Sequence, residues 1–178
     1  MTDRMEALEG NLVVLEQAVG VLNRLDDRTY AVGGAHGDRS AIGVHFRHVF
    51  DHYHAFLRGL ASDEIDYDQR QRQVPLEQDR RLALAAAHGL IADLSRLPPE
   101  LADREVRVTV RSMTSCEGSP DWSRSTLKRE LQFLVSHTVH HYALIKELLR
   151  LEGFEAGEEF GVAPSTLAAN RTAPACAR

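Results

Sequence analysis

The chain has 178 residues, 43% hydrophobic and 26% charged, which fits a globular protein with one sizeable core. Its net charge of −5 removes the electrostatic case for nucleic-acid binding, and its two cysteines, Cys116 and Cys176, form neither a CxxC pair nor a disulfide framework. No secretory h-region and no apolar run of membrane-spanning length is visible, so a cytoplasmic location with no membrane partner is the expectation.

Thr2 or Asp3 can cap a first helix running to about Asp26, because Leu8, Leu12, Leu15, Val19 and Leu22 recur at three- and four-residue steps. The stretch Arg28 to Arg39 contains three glycines and reads as a loop. Ser40 is an N-cap candidate for a second helix, about Ala41 to Leu60. Its apolar stripe is Ile42, Phe46, Val49, Tyr53, Phe56 and Leu60. His45, His48 and His52 line one flank of that stripe, and His54 lies on another side. Asp51 projects beyond His48, away from the stripe.

The polar run Ala61 to Val74 reads as a connection. A third helix is expected from Pro75, a residue favoured at the first helical position, to just before Pro98-Pro99. Leu84, Ala87, Ile91 and Leu94 supply its inner face. The alternation of Val106, Val108 and Val110 with Glu105, Arg107, Thr109 and Arg111 predicts a strand, and the turn-rich CEGSPDW after it suggests a short hairpin or ordered loop. Ser125 or Thr126 caps a fourth helix that ends at Gly153, a typical C′ residue. The tail from Gly161 has too little apolar content for a core element.

Seven of the nine histidines fall into two groups, on the second and fourth helices. On the fourth helix, Leu127, Leu131, Leu134, Thr138, Ile145 and Leu148 form one stripe at about 100° per residue. His137 and His141 sit inside that apolar arc, and His140 lies at its edge. Imidazoles at i and i+4 stack on one helix face, and buried polar groups need partners. One divalent ion is such a partner. His48, His137 and His141 would hold it with positions left open for water or substrate, as catalytic sites do. Packed histidines without metal are the competing reading. An imidazole set suits zinc, nickel or iron, as well as copper, without choosing among them. His45, His52, His54 and His140 read as solvated or supporting groups. Glu130 is a candidate general base on the same face as His137, although a carboxylate favoured by the helix start is the plainer role.

The run SAIGVHFRHVFDHYHAFLRGL, followed later by FLVSHTVHHYALI, resembles the DinB/YfiT-like family of bacterial metalloproteins, over roughly residues 5 to 152. The resemblance implies an all-α four-helix bundle over residues 1–160, with a long, hairpin-containing connection before the last core helix and a tail over 161–178. It implies a divalent metal on His48, His137 and His141. It also implies a homodimer, and a metal-dependent enzyme acting by low-molecular-weight thiol S-transfer, hydrolysis or isomerisation on a small substrate. A non-catalytic metal-binding or stress-associated protein is the alternative. Two departures stand out. The Gly that precedes the helix-2 ligand is Arg47 here. The HHRGQ run of thiol-dependent members is His140-His141-Tyr142-Ala143-Leu144.

Overall fold

The computed structural model describes residues 5–31, 42–69, 74–112 and 119–172. The chain is mostly helical, with a small sheet. Its elements are α1 (Glu6–Arg24), α2 (Asp27–Ala31), α3 (Ile42–Gly59), β1 (Glu64–Asp66), α4 (Pro75–Gln78), α5 (Arg80–Leu94), β2 (Glu105–Thr109), β3 (Ser123–Thr126), α6 (Leu127–Leu151) and α7 (Pro164–Thr172). Helix α1 packs on α5 and α6, and α3 packs on α4, α5 and α6. No helix among the described residues is long and apolar enough to cross a membrane.

Helix α1 buries Leu8, Leu12, Leu15 and Leu22, and the anticipated caps Thr2 and Asp3 lie outside the described residues. The segment expected to be a loop after it begins with α2 instead. Asp26 accepts from the Thr29 N–H at 2.7 Å and from the Thr29 hydroxyl at 3.0 Å, which caps a turn that buries Tyr30. Helix α3 buries the expected Ile42, Phe46, Val49, Tyr53 and Phe56, while Ser40 lies outside the described residues. Gly43 is required where α3 meets α4, since a Cβ there would stand 2.0 Å from the Glu77 carbonyl oxygen.

The expected third helix is two helices. Asp79 adopts an extended backbone (φ −114°, ψ 102°), and its carboxylate accepts from the N–H groups of Arg81 and Leu82 at 2.8 and 3.2 Å. It therefore ends α4 and starts α5. The buried stripe of α5 is Ala83, Ala87, Leu90 and Leu94: Ala87 and Leu94 are as anticipated, whereas Leu84 and Ile91 are half-buried and their neighbours Ala83 and Leu90 take the inner places.

The polar connection 61–74 holds a strand, β1, which pairs parallel with β2. Strand β2 ends at Thr109 and leaves Val110 exposed, so the anticipated alternation to Arg111 runs two residues too far. Strand β3 pairs antiparallel with β2, with Val106 opposite Ser125. Thr126 then caps α6 by accepting from the Arg129 N–H. Gly153, at φ +74°, follows its end. Beyond α6 the chain turns back, and Phe160 stacks on Tyr142 with ring centroids 4.5 Å apart. Helix α7 forms in the anticipated tail and buries none of its residues.

A polar network crosses the core. The Asn11 amide donates to the carbonyls of Ala7 (2.6 Å) and Leu131 (2.9 Å). The Tyr53 hydroxyl donates to Asn11 Oδ1 at 2.7 Å and accepts from the Thr138 hydroxyl at 3.2 Å. All three side chains are buried. The network ties α1, α3 and α6 at one level. Replacing Tyr53 with Phe leaves two buried groups each short of a bond. We expect it to lower unfolding free energy by about 1–3 kcal/mol in urea titrations, with helical circular dichroism unchanged. An unaltered midpoint would count against the network.

Candidate metal centre

Helices α3 and α6 bring five imidazoles into one continuous cluster. His48 Nε2 lies 3.1 Å from His137 Nε2. The His52 ring is centred 4.0 Å from that of His137 and 4.5 Å from that of His48. One ring nitrogen from each of His48, His52 and His137 falls within 4.8 Å of the others. His141 stands alongside, its ring 4.5 Å from His48 and 4.6 Å from His137. Its Nδ1 is 3.0 Å from His45 Nδ1. His140 touches the edge of the cluster through His141 and is otherwise exposed. His54 is on another side of α3, with its Nδ1 buried and without a hydrogen-bond partner.

The anticipated ligands His48, His137 and His141 are thus neighbours, but the tightest group has His52 in place of His141. His52 is buried rather than solvated. Its Nδ1 lies 2.9 Å from the His48 carbonyl, one turn back on α3. A carbonyl only accepts, so Nδ1 carries the proton and the neutral ring holds its lone pair on Nε2. That is how a metal-binding histidine is usually held, with its outer N–H on an acceptor. The signal available in the sequence was the i, i+4 step from His48 to His52, on the flank already singled out.

The donor set fits a metal. Imidazole nitrogens sit about 2.0–2.1 Å from zinc, so two of them on one ion are about 2.9–3.4 Å apart for angles between octahedral and tetrahedral. The His48–His137 separation of 3.1 Å falls in that range. Two ring nitrogens so close also need either a proton between them or a shared cation, because two lone pairs facing each other repel.

The walls are aromatic. Tyr67 stacks on His52 at 5.6 Å, and Phe133 stacks on His137 at 5.7 Å. Tyr67 reaches the site from just after β1, and its hydroxyl donates to Glu130 Oε2 at 2.9 Å. Burial and the Glu130 carboxylate raise the pKa of that phenol, so it stays a donor. The other oxygen of Glu130 accepts from the Ser125 hydroxyl. Glu130 therefore acts on Tyr67 and β3, with both oxygens engaged. Arg47 pairs with buried Asp51 at 2.9 Å and with Glu77 of α4 at 2.8 Å. Asp51 serves that arginine rather than an imidazole. Cys176 lies outside the described residues.

No protein-family model matches the chain, and no solved structure matches it. Over 106 residues it is 30% identical to FK506-binding protein 5 of Rhizopus delemar. The match covers 58% of this chain and 26% of that protein. The chain thus spans about a quarter of its relative's length, and the name of the whole protein does not carry an activity across.

Burial lowers the pKa of His141 to about 4, helped by the charges of His45, His140 and His52. Burial likewise lowers His45 and His54. In the unfolded chain a histidine titrates near 6.5. Between those values the unfolded state takes up a proton that the folded state refuses, so stability falls as pH drops from about 6.5 towards 4. We expect the melting temperature of chelator-treated protein to fall across that window, with a shallower slope in His141→Gln. Equal slopes in the two proteins would remove His141 as a source.

Proposed function

We propose that this chain is a divalent-metal-binding protein of the DinB/YfiT-like kind, and that α1, α3, α5 and α6 are the core helices of its four-helix bundle. The observation that carries the reading is the convergence of His48, His52 and His137 nitrogens from two helices, with His141 beside them. Zinc, nickel or iron all suit such a set. The α3–α6 pairing supports the order of ligands that the resemblance implies, one group on the second long helix and one on the last.

The favoured activity is metal-dependent chemistry on a small substrate, either S-transfer to a low-molecular-weight thiol or a hydrolysis or isomerisation. A bound metal supplies a lowered pKa for a coordinated water or thiol, or polarises a carbonyl. The chain's own part is to hold neutral imidazoles at fixed separation and to wall the centre with Tyr67 and Phe133. The absence of the HHRGQ run withholds support from any one thiol reaction. Tyr142, where that run has its Arg, is used otherwise, fully buried against Phe160.

One observation favours the second reading, a non-catalytic metal-binding bundle. His141 stands beside the three-imidazole group, with its ring 4.5 and 4.6 Å from those of His48 and His137, and a fourth protein ligand would close a tetrahedral centre. Cobalt(II) substitution separates the two. A visible spectrum that shifts on adding a small thiol supports an open, catalytic centre, and one that ignores it supports the closed one. The resemblance also supports a homodimer, which sedimentation at micromolar concentration tests.

The metal itself is tested by elemental analysis and melting with and without chelator. The wild type should carry about one ion per chain. His48→Ala and His137→Ala should lose most of it, together with the chelator-sensitive part of the melting temperature. That part is on the order of 2.7 kcal/mol when free metal is a hundredfold above Kd. His54→Ala should behave as wild type. Full metal retention by His48→Ala and His137→Ala would falsify the centre.

A further inference from the structure

The His45–His141 contact has no part in the metal group itself, yet it bears on the ring that the group lacks. His45 and His141 meet through Nδ1 atoms 3.0 Å apart, with ring planes tilted by 41°. One nitrogen must donate and the other accept. Each choice fixes a tautomer. If His45 donates, neutral His141 keeps its proton on Nε2 and has no lone pair there. If His141 donates, its Nε2 lone pair is free.

We propose that His45 is a positioning residue for the metal centre: it accepts from His141 Nδ1–H and so presents His141 Nε2 as the fourth imidazole ligand. The inference rests on the metal reading above. Its model is already present in the same cluster, where the His48 carbonyl accepts from His52 Nδ1–H and so fixes the tautomer of that ring. Both outer acceptors are on α3, one a backbone carbonyl and one a side chain. The ring of His141 neighbours those of His45, His48 and His137, with centroids at 5.3, 4.5 and 4.6 Å. An outer-shell acceptor of this kind typically contributes a 10–100-fold effect on metal affinity.

The test uses the full chain loaded with zinc. Nitrogen-15 NMR of histidine-labelled protein should show His141 protonated at Nδ1 and metal-shifted at Nε2. This arm needs no substitution. Zinc affinity is then measured by competition with a chromogenic chelator. His45→Leu fills the space without an acceptor and should weaken binding by roughly 10–100-fold, with the melting temperature of the metal-free protein close to wild type. His45→Asn retains an acceptor oxygen near the lost Nδ1 and should restore affinity to within a few-fold. His141 protonated at Nε2 in zinc-loaded protein overturns the proposal. So does wild-type affinity in His45→Leu, and so does an equal loss in both variants, which makes the role one of packing. Those three results leave the metal reading standing, because zinc is still bound by wild type. A wild type that takes up no zinc removes both.

Discussion

The register between α3 and α6 is the constraint on which the site depends, and it is set beneath the histidines rather than by them. Tyr53 follows His52 on α3, and Thr138 follows His137 on α6. Their hydroxyls are bonded to each other, and Tyr53 is bonded on to Asn11 of α1. Consecutive helical residues are about 100° apart, so the pair that points into the core carries its neighbours to the rim. Slipping α6 by one turn would break the Tyr53–Thr138 bond and move His137 about 5.4 Å from His48. Leucine packing alone would resist such a slip weakly, since apolar contacts are not directional. A buried hydroxyl without its partner costs about 1–3 kcal/mol, and that penalty specifies one register.

Much of the fold is legible from local rules. Thr126 and Gly153 bound α6 because caps act within a turn of the helix end. The helix stripes of α1 and α3 appear at the expected residues because one face of each meets the core. The failures share a cause, which is partners distant in sequence. Residues 63–68 read as polar connection because their acids dominate the composition. Yet Ile65 and Tyr67 alternate with Glu64, Asp66 and Asp68, and both are buried once β1 finds β2. His52 reads as a solvated or supporting group because nothing near it in sequence covers it. It is Tyr67, delivered by that same strand, that does so. Asp79 is the converse case, a local signal inside a helical pattern whose side chain stops one helix and starts another.

The candidate site was legible in its residue types and helix placement, but the tightest grouping within it was not. Periodicity assigns a residue to a face and leaves the spacing across two helices open. His48 and His137 meet across the packed pair α3 and α6, with their Nε2 atoms 3.1 Å apart. His52 joins them through its carbonyl anchor one turn back.

That anchoring also separates the roles of the four inner imidazoles. His52 is held by its own helix backbone and walled by Tyr67 and Phe133, so moving it would disturb α3 and two packed aromatics. His141 is half-buried and meets only another side chain through its outer nitrogen. The cluster therefore divides into the close group of His48, His52 and His137, and His141 on the His45 side. On the metal reading proposed above, the difference between a three-imidazole and a four-imidazole centre would turn on that one side-chain hydrogen bond, not on a different set of residues.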